Sequence, residues 1–248
     1  MEDSRDVVTP LDAGLSVHCS SEQCKKVDKV AYQSVVGALM YLAISTRPDI
    51  LHSVSKLSQR NNNPHSEHEA GVKHVLRYLR KTSNYKLHYT KTGKAIEGFA
   101  DADWGSDASD RKSYSGCVFV AAGGVFSWES KKQSVVALSS TEAEYIALSS
   151  AAKEASYISK LLREMGFGQD GPMILNNDNL SSQCLVKNPT YHARSKHIDI
   201  KYHHIRQMYN NNEIDLNYIP TDKMMSDILT KNLQKTKHVK FTNEMGIF

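Results

Sequence analysis

The spacing of apolar residues divides the chain into two stretches. From Val30 they recur at helical intervals, with Val35, Leu39 and Leu42 on one stripe and a stop at Arg47-Pro48. Ile50, Val54 and Leu57 follow before Asn61-Asn62-Asn63-Pro64, and a third helix is predicted from Ser66 or Glu67 to Leu79, giving a helical module over residues 30–82. Beyond it the period falls to two. Ile96–Trp104, Gly116–Ala121, Gly124–Trp128 and Ser134–Leu138 read as four short strands separated by turn residues, as in an antiparallel meander. A long helix is predicted from Ser139-Ser140-Thr141 to Met165, where Gly166 stops it. Next come a strand at Met173–Asn176, helices at Ser181–Val186 and Ser195–Tyr209, a strand at Ile214–Ile219 and a last helix after Pro220-Thr221. This order describes a mixed α/β domain with one central sheet.

Composition narrows the class. With 40% hydrophobic and 23% charged residues in 248 positions, the chain can bury a core and is neither collagen-like nor a disordered acidic tract. Apolar runs such as Gly37–Ile44 fall short of the roughly 20 residues that span a bilayer, and Met1 to Asp6 lacks a signal-peptide pattern. Four cysteines, Cys19, Cys24, Cys117 and Cys184, are too few for a disulfide scaffold and lack zinc-site spacing, which fits an intracellular protein with no membrane partner. Residues 1–29 read as a poorly structured leader.

The net charge of +4 is unevenly spread. No Asp or Glu occurs between Ala70 and Ile96, where Lys73, Arg77, Arg80, Lys81, Lys86, Lys91 and Lys94 fall. Between Asn179 and Asn212 the only acid is Asp199, among Lys187, Arg194, Lys196, Lys201 and Arg206 and several histidines. One such run is commonly a solvated helix face; two favour a polyanionic partner. The histidines lack thiolate companions and zinc spacing, so no zinc is assigned. Trp104 and Trp128, on strands, read as packing residues.

Four acids stand out against this background. On the long helix Glu144 shares a stripe with Leu148, Ala151, Ala155 and Ile158, whereas Glu142 lies with Ser149, Lys153 and Ser156. A carboxylate on a core-facing stripe costs several kcal/mol unless paired, hydrogen-bonded or bound to metal. The alternative is that Glu144 closes a capping box with Thr141. Strand alternation puts Phe99, Asp101 and Asp103 on one face, so either aspartate could line a site. Asp178 ends an apolar strand, where it could instead cap the next helix, and Asp227 sits where a first-turn acid favours the helix dipole. Four carboxylates converging on one patch would repel unless hard cations lay between them, and oxygen ligands favour magnesium or manganese. Two such ions about 3.5–4 Å apart serve in-line attack of water on a phosphodiester.

The blocks Ala100-Asp101-Ala102-Asp103-Trp104, Asp110-Arg111-Lys112-Ser113, Ser130-Lys131-Lys132-Gln133, Ser139-Ser140-Thr141-Glu142-Ala143-Glu144-Tyr145, Asn177-Asp178-Asn179, His192-Ala193-Arg194-Ser195-Lys196-His197 and Asp227-Ile228-Leu229-Thr230-Lys231 follow in order along the chain. Through them the chain resembles the ribonuclease H region of copia-type LTR retrotransposon Pol polyproteins. Upstream, Thr46-Arg47-Pro48-Asp49-Ile50 and Val75-Leu76-Arg77-Tyr78-Leu79 resemble the segment joining the reverse transcriptase to that domain.

The resemblance implies a ribonuclease H-like α/β fold, a mixed five-stranded sheet flanked by helices, with a small helical module before it. It implies four regions: a leader at 1–29, a helical remnant of the thumb or connection at 30–91, the ribonuclease H-like domain at 92–232 and a C-terminal tail at 233–248. The implied activity is hydrolysis of the RNA strand of RNA:DNA hybrids with two Mg2+ or Mn2+ ions. Asp101 is the expected shared ligand, with Glu144, Asp178 and Asp227 as the others. Glu144 is preferred over Glu142 because the family's helix carries Ala three residues after its acid, as Ala147 stands here.

The expected nucleic-acid contacts are Arg111, Lys112, Lys131, Lys132, Arg194, Lys196, His197 and Lys201. The implied partners are the hybrid and the polymerase domain or other polyprotein parts, and the implied location is the cytoplasm or virus-like particles. The order Asp, Glu, Asp, Asp disfavours an integrase. Three departures are visible: no polymerase palm, no His between Pro220 and Ser226, and Asn176-Asn177 where relatives carry a hydrophobic residue or Cys. A catalytically silent nucleic-acid-binding or assembly module is the alternative reading.

Overall fold

The β-branched and aromatic residues of Glu97–Ala102, Tyr114–Ala121 and Gly124–Lys132 form three consecutive antiparallel strands, β1, β2 and β3. They belong to a computed structural model that describes residues 4–12, 25–107, 109–188 and 199–248. The chain separates into two units, a helical one of Met1–His88 with Lys231–Phe248 and an α/β one of Tyr89–Thr230.

In the helical unit, α1 (Lys29–Ser45), α2 (Leu51–Ser58) and α3 (Ser66–Lys81) pack together. Asp28 caps α1, its carboxylate accepting from the Val30 and Ala31 N–H groups at 2.8 and 3.2 Å. The buried stripe of α1 is Tyr32, Val36, Leu39 and Ala43, not the Val35-Leu39-Leu42 stripe expected. This helix is apolar on nearly every side, so its pattern cannot choose a face. The Thr46–Ile50 motif forms a buried ion pair. Arg47 Nε and Nη2 donate to the two carboxylate oxygens of Asp49 at 2.9 and 2.8 Å, and Tyr78 Oη donates to Asp49 at 2.7 Å.

Residues 233–248, expected as a tail, contain α7 (Lys235–Glu244) and complete this unit. Phe241, Met245 and Ile247 are fully buried, and Leu87 bridges Ile247. Backbone bonds join Lys86 N–H to Phe248 O at 3.0 Å and His88 N–H to Gly246 O at 2.8 Å.

In the α/β unit the strand order is β3-β2-β1-β4-β5, with β4 at Met173–Asn177 and β5 at Ile214–Tyr218. The β1/β4 and β4/β5 pairs are parallel, so the sheet is mixed and five-stranded. This is the ribonuclease H-like fold. The long helix α4 (Ser140–Glu164) packs on β1, β2 and β4 and contacts α5 (Leu180–Lys187) and α6 (Asp199–Asn210). Leu148, Ala151, Ala155 and Ile158 of α4 enter a core with Phe119, Leu175, Ile205 and Ile214. Gly166, at φ +79°, ends α4 as expected; its N–H donates to Arg163 O at 3.1 Å.

Two sequence expectations fail here. Ser134–Leu138 is not a strand: β3 runs on to Lys132, Gln133 still donates its N–H to Ser113 O at 2.8 Å, and the pairing ends there. Gln133 is buried and donates to Ser115 Oγ at 2.9 Å and Ala143 O at 3.0 Å, tethering the chain towards the start of α4. Nor does an α-helix follow Pro220-Thr221. That stretch forms two 3-10 turns, Thr221–Lys223 and Met225–Leu229. No helix among the described residues is long and apolar enough to cross a membrane.

Candidate active site

Parallel strands present their carboxyl ends on one side, where open α/β sheets bind ligands. Asp101 lies near the end of β1, Asp178 follows the last residue of β4, and Glu144 stands in the second turn of α4. The three offer carboxylate oxygens within 4.8 Å of one another, the one such cluster among the described residues. Asp101 and Glu144 are buried and Asp178 is half-buried. The fourth expected ligand, Asp227, is fully buried on the turn Met225–Leu229, which packs against β1 and β2, and is not one of the three.

Neighbouring residues take the capping duties that these acids could have performed. Ser139 caps α4, its Oγ accepting from the Glu142 N–H at 3.2 Å, while Glu142 accepts from the Leu138 N–H at 2.8 Å. The cap is therefore Ser139, not Thr141, and Glu142 reaches back to the residue before it, so Glu144 closes no box. Asn179, not Asp178, caps α5, accepting from the Ser182 N–H at 2.9 Å. Both acids are left to the cluster.

Burial raises the Glu144 pKa from 4.5 to about 9, and the charges of Asp101 and Asp178 add to the rise. Donation from Asn177 Nδ2 at 3.0 Å and from the Ala102 N–H opposes it only in part. A group of oxygen donors that cannot all ionise unaided fits a hard divalent cation.

Hydroxyls and an amide hold the carboxylates. Thr230 Oγ1 donates to Asp101 Oδ2 and Thr221 Oγ1 to Asp178 Oδ2, the latter at 2.5 Å. Thus the segment bearing Asp227 reaches Asp101 through Thr230. Gly116, paired with Asp101 across β1 and β2, makes room for this: a Cβ there would lie 2.8 Å from Leu229 Cβ and from Thr230 Cγ2. Sequence reasoning missed Asn177, Thr221 and Thr230; the one signal was the Asn176-Asn177 departure. Asn176 itself donates to Glu97 Oε2 at 2.9 Å and accepts from Asn217 Nδ2 at 2.8 Å, linking β1, β4 and β5. Asp103, the other aspartate on its face, accepts from Ser106 Oγ and the Tyr114 N–H and so pins the turn after β1.

The expected basic contacts divide. Arg111 and Lys131 are exposed, Lys112 is half-buried, and Lys131 lies 3.9 Å from Glu129. Lys132 is committed elsewhere: it pairs with Asp107 and, at 3.0 Å, with Asp110. Desolvation pulls its pKa down, but the hydrogen bonds to the two aspartates outweigh this and raise it. Its ammonium clamps the β1–β2 loop. Arg194, Lys196 and His197 lie outside the described residues, as does the side chain of Lys201 on α6. Arg206 is buried and donates to Leu185 O. Trp104 is not a packing residue: it is 59% exposed and donates its indole N–H to Ala137 O at 3.3 Å.

Fold and cluster together define a ribonuclease H-like domain with a carboxylate site at the strand ends. Over nearly its whole length the chain is similar to one part of copia-type retrotransposon Pol polyproteins. It is 40% identical over 242 residues, 96% of its length, to the retrovirus-related Pol polyprotein from transposon TNT 1-94 of Nicotiana tabacum, and spans 18% of that polyprotein. The secreted RxLR effector protein 161 of Plasmopara viticola is 50% identical over 130 residues, which are 52% of this chain and 92% of that one. LC11-RNase H1, solved in complex with RNA/DNA hybrid, superposes with a TM-score of 0.42 at 16% identity, covering 55% of this chain and 94% of that one. No family model matches the chain.

Proposed function

We propose that the α/β unit is a metal-dependent endonuclease that hydrolyses the RNA strand of RNA:DNA hybrids. The observation that carries the reading is the set of three carboxylates, Asp101, Glu144 and Asp178, meeting within 4.8 Å at the carboxyl ends of parallel strands. These residues would hold magnesium or manganese, with Asp227 the proposed fourth ligand for a two-ion site. Bound there, such ions lower the pKa of water and stabilise charge on phosphodiester oxygens.

The chain's own residues do the rest. Glu144, favouring its protonated form when no cation is near, gives up that proton to become a ligand. Exposed Arg111 and Lys131 are suited to phosphates along the hybrid, a role Lys132 cannot share while it pairs with Asp107. The polymerase part of the polyprotein is the proposed neighbour of the helical unit.

Substituting Asp101→Asn tests the reading on a labelled RNA:DNA hybrid, with single-stranded and double-stranded RNA as controls. Magnesium-dependent cleavage should fall by at least about a thousandfold, with hybrid binding retained. Undiminished cleavage by the variant would sink the assignment. Hybrid binding without cleavage by the unaltered chain would favour the silent binding module.

A further inference from the structure

Each carboxylate of the cluster receives a hydrogen bond from a different neutral donor. Thr230 Oγ1 donates to Asp101 Oδ2, Asn177 Nδ2 to Glu144 Oε2 at 3.0 Å, and Thr221 Oγ1 to Asp178 Oδ2 at 2.5 Å. We infer that Asn177, Thr221 and Thr230 are positioning residues that fix the three carboxylates for cation binding, an inference that rests on the metal-dependent reading above.

The terminal torsion of a carboxylate is broad and roughly two-fold, so proximity alone does not aim its lone pairs. A directional side-chain donor on each carboxylate, joined at Glu144 by the Ala102 N–H, sets that torsion. A carboxylate has about four lone-pair sites, so these bonds still leave room for a cation. Neutral donors also leave the cluster's charge in place, whereas a Lys or Arg in the same positions would compete with the metal.

The donors are themselves held, to different degrees. Asn177 is fully buried and gripped at both ends. Its Nδ2 also donates to Ala100 O at 3.1 Å, while its Oδ1 accepts from the Asn179 N–H and from Ser182 Oγ, each at 3.0 Å. Thr230 is fully buried, and its hydroxyl also lies 3.3 Å from Asp227 O. Thr221 is exposed on its turn and is held least. Outer partners of metal ligands commonly act in this way, by orienting the ligand.

The test is Mn2+ binding to the full chain, followed by the electron paramagnetic resonance signal of the free ion, with melting by circular dichroism as the check on folding. Thr221→Val, Thr230→Val and Asn177→Leu should each weaken binding by about tenfold or more, whereas Thr221→Ser and Thr230→Ser, which keep the hydroxyl, should bind as the unaltered chain does. A folded Thr221→Val with undiminished affinity would overturn the shell as drawn, and its surface position lets it decide the matter even if a buried variant fails to fold. Weak binding by the Ser variants as well would overturn it too, since a hydroxyl would then be insufficient. Tight Mn2+ binding by an unaltered chain that leaves hybrids uncut would defeat the nuclease reading alone. No Mn2+ binding by the unaltered chain would defeat both.

Discussion

A carboxylate 6% exposed and facing two others raises the free energy of its own ionised form, and that is the condition of Glu144. Its folded pKa, about 9, lies above the unfolded 4.5, so the fold favours the protonated group. The stability this contributes is fully present below about pH 4.5 and is lost as the pH rises through about 9 in metal-free protein. Glu144→Gln should flatten that decline and make the metal-free chain more stable at about pH 8, on the order of 2 kcal/mol by chemical denaturation. The same variant should lose any stabilisation by magnesium. Glu144 was legible in the sequence because a helical period of 3.6 placed it on the core stripe with Leu148 and Ala151. Its partner Asn177 was not, because the two meet only when β4 pairs beside β1. Thr230 and Asp101, 129 positions apart, are a stronger case: no local pattern connects a hydroxyl to a carboxylate at that separation.

Between elements, the Met225–Leu229 turn and the following Thr230 come close to β2. Gly116 permits it, and Gly116→Ala would bring a methyl group to 2.8 Å from Leu229 and Thr230 side-chain carbons and 3.1 Å from Ser226 O. The turn must then shift. The variant should lose about 1–3 kcal/mol in denaturant unfolding and bind Mn2+ more weakly, since Thr230 moves with the turn. A loss of stability with Mn2+ affinity intact would mean that the turn yields without disturbing Asp101. Strands β1 and β2, helix α4 and its Gly166 stop were legible because each carries its own periodicity and punctuation. Ser134–Leu138 misled for a physical reason: Val135, Val136 and Leu138 have strand-like character but are 39%, 45% and 73% exposed, and the sheet ends at β3. The turn at Asp227 carries helix-forming residues too, yet five residues of 3-10 structure suffice to deliver Thr230.

At the scale of the molecule, the α/β unit is inserted into the helical one, whose two pieces are distant in sequence. Residues 231–248 supply Phe241, Met245 and Ile247 to the helical core, and His238 approaches Asp49 O at 3.3 Å. A chain ending at Thr230 should therefore keep a folded α/β unit and lose protection from hydrogen exchange in α1, α2 and α3. Equal protection with and without the last segment would show that the early helices stand alone. This closure was not legible: α7 is short and polar on most sides, and nothing in its own pattern names a partner far upstream. It also imposes an order on synthesis. Helices α1 to α3 are translated before the α/β unit but completed after it, because the residues that seal their core follow the whole of the inserted unit. Until those last residues are made, the apolar surface of α1 to α3 that they cover lacks its partner.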